Sequence, residues 1–191
     1  MQAFRKSALV VALGLSVVGA MAGEIVSTRV FATETVNAAG GVNARALQNI
    51  GVAEGTGRIA NSTVVVTGAG NTAVGVGSAT ARQDIGRVTG NGQILNSTIV
   101  ATGVNNLSAG LLSFAEQKIG FADGNGRVLG STIIATGAFN TAAGVRATAV
   151  QQIGGAQGNG VLNGATVVST RATNGASGLL STAEQRIGVA R

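Results

Sequence analysis

The chain of 191 residues contains no histidine, cysteine, proline, tryptophan or tyrosine, and only five phenylalanines. The lack of His and Cys removes the commonest general bases, the thiol nucleophiles and the soft-metal ligands. It also leaves the chain without disulfide staples or an acylated cysteine. Carboxylates are few: Glu24, Glu34, Glu54, Asp84, Glu116, Asp123 and Glu184 recur at no register that would pair an acid with a base. The sequence therefore reads as a non-enzyme, with no catalytic, metal-binding or cofactor-binding residue and no cofactor. So few aromatic side chains exclude an ordinary large-residue core, and 31 glycines exclude a helical bundle.

What is present is small and apolar. Hydrophobic residues, mostly Ala, Val, Ile and Leu, make up 45% of the chain against 10% charged, too apolar for a disordered protein. Thin β architecture fits this composition. Residues 1–22 stand apart. Arg5 and Lys6 precede an apolar run from Ser7 to Ala22 that closes on Ala20-Met21-Ala22, the pattern of a signal peptide cut near Ala22/Gly23. The run is shorter than the ~20 apolar residues a spanning helix needs, so the expectation is a secreted, extracellular or cell-surface protein without a stable membrane span. Losing Arg5 and Lys6 with the leader takes thirteen basic residues to eleven against seven acidic ones, a net charge of +4. The arginines are scattered singly with no aromatics between them, which argues against nucleic acid as a partner.

The stretch Val64 to Gly75 resembles a strand entering a phosphate loop, with Gly68-x-Gly70-x-x-Ala73 fitting a dinucleotide fingerprint and Asp84 where a ribose-binding acid would be sought. Repetition removes that reading. Gln-x-Ile-Gly recurs at Gln48, Gln83, Gln117, Gln151 and Gln185, at intervals of 35, 34, 34 and 34 residues. The units are a partial first copy over 23–51, then 52–86, 87–120, 121–154 and 155–188, with a tail of 189–191. In the later copies Gly70 becomes Asn105, Phe139 and Thr173, so the fingerprint belongs to one copy alone. What recurs is Asn-x-x-x-Gly, beginning at Asn37, Asn71, Asn106, Asn140 and Asn174. A 34-residue period also occurs in tetratricopeptide arrays, but those need large residues at helical spacing. Here the alternation has a period of two, the strand signal.

Each unit reads as roughly three strands: Thr-x-(Val/Ile)-x-Thr, then Asn with Ala or Ser, then Ala-x-Gln-x-Ile. Gly-x-Gly turns lie between units, where left-handed backbone costs little. The expected fold is all-β, a β-solenoid of five stacked ~34-residue rungs with parallel in-register sheets. Residues one unit apart then lie ~4.8 Å from their copies. The columns Gln48/Gln83/Gln117/Gln151/Gln185 and Asn37/Asn71/Asn106/Asn140/Asn174 become hydrogen-bonded amide ladders, with Ile50, Ile85, Ile119, Ile153 and Ile187 beside them. Charges support the register: Arg82 falls over Glu116 and Asp84 over Lys118, both opposed pairs.

Asp123-Gly124-Asn125-Gly126 has a faint calcium-loop look, but the equivalent first positions Glu54, Thr89 and Gln157 are not acid-rich. Asn61-Ser62-Thr63 and Asn96-Ser97-Thr98 match a glycosylation pattern at a strand start.

A stack of rungs has two open ends, and no proline, charge run or covering element is visible after Ile187 to blunt the last one. Gln and Asn ladders, β-branched residues, low charge and no Pro are also the composition of cross-β assemblies. On Asn140 to Gly144, on Ala149-x-Gln151-x-Ile153-Gly154 and on Gly-Asn-Gly, residues 27–188 resemble the repeats of bacterial functional amyloid subunits, the curlin and Fap-type fibre proteins. The resemblance implies a subunit that binds itself end to end into a biofilm or adhesion fibre, with secretion or nucleator proteins as further partners. The alternative expectation is a monomeric secreted solenoid, an ice-binding module or adhesin shaft, using the threonine face. It requires those threonines to point outward and both ends to be capped.

Overall fold

The computed structural model describes residues 23–55 and 57–190; the expected leader, residues 1–22, lies outside them. The chain winds through five rungs of parallel, in-register β structure, about 34 residues apart. It is a β-solenoid.

Three sheets run along the stack. A short five-stranded sheet contains Glu24–Val26, Arg58–Ala60, Gln93–Leu95, Arg127–Leu129 and Val161–Asn163. A threonine sheet, also of five, contains Arg29–Thr33, Thr63–Thr67, Thr98–Thr102, Thr132–Thr136 and Thr166–Thr170. The third sheet has eight strands. Val36–Ile50 and Gly70–Ile85 each run through it as one long strand, whereas later rungs divide into two arms: Asn105–Ala109 with Leu112–Ala122, Phe139–Ala143 with Arg146–Ala156, and Thr173–Ser177 with Thr182–Ile187. The rung thus has four strand segments where the sequence predicted three. The extra one, such as Arg127–Leu129, is three residues long and leaves no room for a readable alternation.

Alternation divides inside from outside. In Thr98–Thr102 the side chains of Ile99 and Ala101 are fully buried, and Thr98, Val100 and Thr102 face outward. Ile59, Val64, Val66, Ile85, Ile94, Ile99, Ile119 and Ile133 fill the main core between the sheets. Fully burying each such side chain contributes about 1.5–3 kcal/mol. The two arms of the third sheet face each other across a much thinner interior, lined by Ala115, Ala142, Ala147 and Ala149 in the later rungs. Only small side chains and flat amides fit there.

Two glycine positions explain recurring motifs. After each ladder isoleucine the chain turns a corner at positive φ; at Gly120 φ is 59°, and an added Cβ would lie 2.6 Å from Ile133 Cγ1. At the tip joining the arms, a Cβ on Gly144 would lie 1.7 Å from the Gly110 carbonyl oxygen of the preceding rung. This contact accounts for the glycine of Asn-x-x-x-Gly. The single 35-residue interval also arises at this tip. Gly41 and Asn43 pair with Gly75 and Ser78, so the second rung holds one residue more between its arms.

Candidate functional site

The candidate site is the column of amides between the arms and its two ends. Gln117 and Gln151 lie opposite each other in adjacent strands, as do Gln83 and Gln117. Gln83 Nε2 donates to Gln48 Oε1 at 2.7 Å, Gln117 to Gln83 at 2.7 Å, Gln151 to Gln117 at 2.7 Å and Gln185 to Gln151 at 2.6 Å. Asparagines do the same across the facing arm: Asn37 Nδ2 donates to Asn71 Oδ1 at 2.8 Å, and Asn71 to Asn106, Asn106 to Asn140 and Asn140 to Asn174 at 2.7 Å each.

The amides also tie the arms together. Asn140 Nδ2 donates to the Val150 carbonyl at 3.0 Å, while Gln151 Nε2 donates to the Ala138 carbonyl at 3.0 Å. Each ladder residue therefore bonds its copy along the stack and backbone across it. Asn71, Asn106, Asn140, Gln83, Gln117 and Gln151 are buried completely and have their donors satisfied, which is what makes such burial tolerable. Ile85, Ile119 and Ile153, on the same face as the glutamines, project into the main core, with Ile50 and Ile187 at the two ends of the column.

The charged column forms a network rather than two separate pairs. Arg82 Nε meets Glu116 at 3.2 Å, as expected. Asp84 and Lys118 are register neighbours, yet their ion pairs go elsewhere: Asp84 to Arg82 at 3.2 Å and Arg87 at 2.7 Å, Lys118 to Glu116 at 3.3 Å and Asp123 at 3.2 Å. The expected Asp84/Lys118 pair is corrected on this point. The corner at Gly120 brings Asp123 back within reach of Lys118, and Arg87 bridges Asp84 and Asp123, the latter at 2.5 Å. Burial pushes the Asp84 carboxyl above its ordinary range although Arg87 and Arg82 pull it down. Its Oδ1 has no hydrogen-bond partner. Asp123, the first residue of the calcium-like turn, is thus committed to two cations, and among the described residues no cluster of three acidic side chains could hold a metal.

A serine column was not singled out from the sequence. Ser97 Oγ donates to the Leu95 carbonyl at 2.7 Å and accepts from the Ser62 backbone N–H, and Ser131 Oγ accepts from Ser97 N. Its signal was visible as Ser62, Ser97 and Ser131 at one register. The neighbouring Asn61 and Asn96 adopt φ of 50° and 46°, with Gly130 and Gly164 in their place in later rungs, so the apparent glycosylation asparagines are left-handed turn residues.

Two outer surfaces contrast. In the second, third and fourth rungs the threonine sheet and first arm carry no charged residue, whereas the second arm presents Arg82, Glu116 and Arg146, with Asp84 and Lys118 buried in the network beneath. The described residues contain no helix long and apolar enough to cross a membrane.

The fold and its ladders define a parallel β-solenoid repeat protein. Comparison with protein-family models, with curated proteins and with solved structures finds no match.

Proposed function

We propose that the protein is a secreted structural subunit that assembles with copies of itself, end to end, into extracellular cross-β fibres for biofilm matrix or surface adhesion. The observation carrying this reading is the state of the last rung. Ile187 is 42% exposed where its copy Ile153 is 1% exposed, and among the described residues nothing covers it. Its strands Thr166–Thr170 and Thr182–Ile187 pair on one side only. An unblunted edge of this kind is a template for another copy of the same rung. The ends differ, since Ile50 in the first rung is 7% exposed. Release of residues 1–22 as a leader belongs to the proposal.

The test is incubation of the chain from Gly23 onward, beside the full-length chain, at micromolar concentration. Fibres in electron micrographs with a ~4.8 Å meridional reflection are expected. Persistent monomers of the processed chain sink the reading.

A second reading, the monomeric binding solenoid used as an ice-binding module or adhesin shaft, draws on a different observation. Thr63, Thr98 and Thr132 face outward on an uncharged panel. Thermal hysteresis or inhibition of ice recrystallisation by a non-assembling chain would select it.

A further inference from the structure

The two amide ladders run in opposite directions, and we infer that this opposition sets the polarity of the end-to-end contact: the last rung of one copy takes the first rung of the next and rejects a like end. The inference rests on the fibre reading above. Every ladder glutamine from Gln83 onward donates to the copy before it, whereas every asparagine from Asn37 to Asn140 donates to the copy after it. The ends are therefore unlike.

At the first rung Gln48 Nε2 keeps its cross-arm contacts to the Thr35 and Gly70 carbonyls. With no glutamine acceptor before it among the described residues, it makes beyond these only a long bond of 3.4 Å to Thr35 Oγ1, which a glutamine oxygen at ladder distance would displace. Asn37 Nδ2 is spent on Asn71 and the Leu47 carbonyl, leaving its Oδ1 with no donor among the described residues. The last rung shows the converse. Gln185 donates to Gln151 and the Ala172 carbonyl, and among the described residues its Oε1 accepts nothing. Asn174 Nδ2 keeps the Ala149 and Glu184 carbonyls but lacks the asparagine acceptor that Asn140 has. One end thus offers a glutamine donor and an asparagine acceptor, the other a glutamine acceptor and an asparagine donor.

Placed head to tail in the existing register, Gln48 N–H meets Gln185 Oε1 and Asn174 N–H meets Asn37 Oδ1. Both ladders then continue unbroken. The strand register extends with them, so Thr33 overlies Thr170 and Ile50 overlies Ile187. Joining like ends turns one rung outline over onto its mirror image, and the three sheets cannot all continue. Where Gln48 overlay Gln48, donor would face donor, and a buried polar group left unpaired costs more than a formed bond returns.

Polarity is read with cysteines, which the chain lacks. Thr33→Cys and Thr170→Cys variants, expressed with the native leader and used as the host releases them, are assembled singly and mixed, then oxidised. Adjacent parallel strands hold Cα atoms at ~4.8 Å, within disulfide reach. Mixed disulfides between the two variants, with none in either variant alone, are expected. Fibres carrying homotypic disulfides would overturn the polarity and leave the fibre reading standing; no assembly at all would overturn both.

The ladder origin of that polarity is read with Gln48→Glu and Asn174→Asp. Each keeps the oxygen that its internal neighbour uses and loses the whole donor, the cross-arm bonds to Thr35 and Gly70 or to Ala149 and Glu184 included. The unfolding midpoint is therefore measured beside the plateau, and a variant counts only where it keeps its fold. The monomer remaining at plateau should rise about tenfold or more at neutral pH. For Gln48→Glu it should fall back once the carboxyl protonates, below about pH 4.3, because the acid again offers a donor. Asn174→Asp carries the neutral-pH comparison on its own should Gln48→Glu lose its fold. Plateau concentrations unchanged from the parent overturn the inference.

Discussion

Gln151 gives one amide proton to Gln117 Oε1, 2.7 Å away in the preceding rung, and reaches the Ala138 carbonyl across the arms at 3.0 Å. A side chain that is costly to bury thus becomes a joint in two directions. The same arrangement holds at Gln117, in the middle of the column. Gln117→Glu sets a carboxylate against Gln83 Oε1, acceptor against acceptor, inside a completely buried column. The loss should be about 3 kcal/mol or more. Gln117→Leu, which leaves the Gln83 oxygen and the Gln151 donor unpaired, should cost about 1–3 kcal/mol for each orphan. Urea unfolding of the two variants measures both.

Gly70 and Gly144 should respond oppositely to alanine. A Cβ on Gly70 meets nothing within 4 Å, and its φ is not in the left-handed region. Gly70→Ala should therefore be neutral or stabilise by about 0.4–1 kcal/mol, through the unfolded chain. Gly144→Ala drives a methyl into the Gly110 carbonyl of the adjacent rung and should lower the unfolding midpoint sharply. The glycine that suggested a nucleotide loop is thus the dispensable one.

Asp84 gives the fold an acid-side signature. Burial raises its folded-state value above the ordinary 3.8, so the folded protein takes up a proton at a pH where the unfolded chain has not yet done so. Stability contributed by this group therefore increases as pH falls through the raised value and levels off below 3.8. Asp84→Asn lacks the titration while keeping the size. The difference in unfolding free energy between parent and variant should shift in the parent's favour on acidification across that window. A shift in the opposite sense would show that Arg82 and Arg87 outweigh the burial.

The contacts that follow the repeat period were legible beforehand. Gln83, Gln117 and Gln151 share a register because a 34-residue period and a parallel stack leave no other place for them, and the same holds for Arg82 over Glu116. Contacts made across a rung were not. Which way an amide points depends on carbonyls such as Val150 and Ala138 in the opposite arm, and no spacing along the chain encodes that. Lys118 leaves Asp84 for Asp123 because the Gly120 corner turns the chain so that Asp123, three residues on, comes within reach of the ammonium, a tertiary effect. The segment Arg127–Leu129 was missed because three residues hold barely one period of alternation.

Ile187 separates folding from assembly. In the isolated molecule it sits on the open last rung at 42% exposure, so Ile187→Lys lets the ammonium reach water along its own stem and should cost about 1 kcal/mol or less. In a head-to-tail fibre the same position lies against Ile50 of the next copy, inside a continuous core. A lysine there is either buried unpaired or holds the rungs apart, which is how natural edge strands are kept from pairing. The expected outcome is a monomer with nearly unchanged circular dichroism and unfolding midpoint that no longer forms fibres or extends parent seeds. Seeded growth at the parent rate would mean that the last rung is not the growing surface.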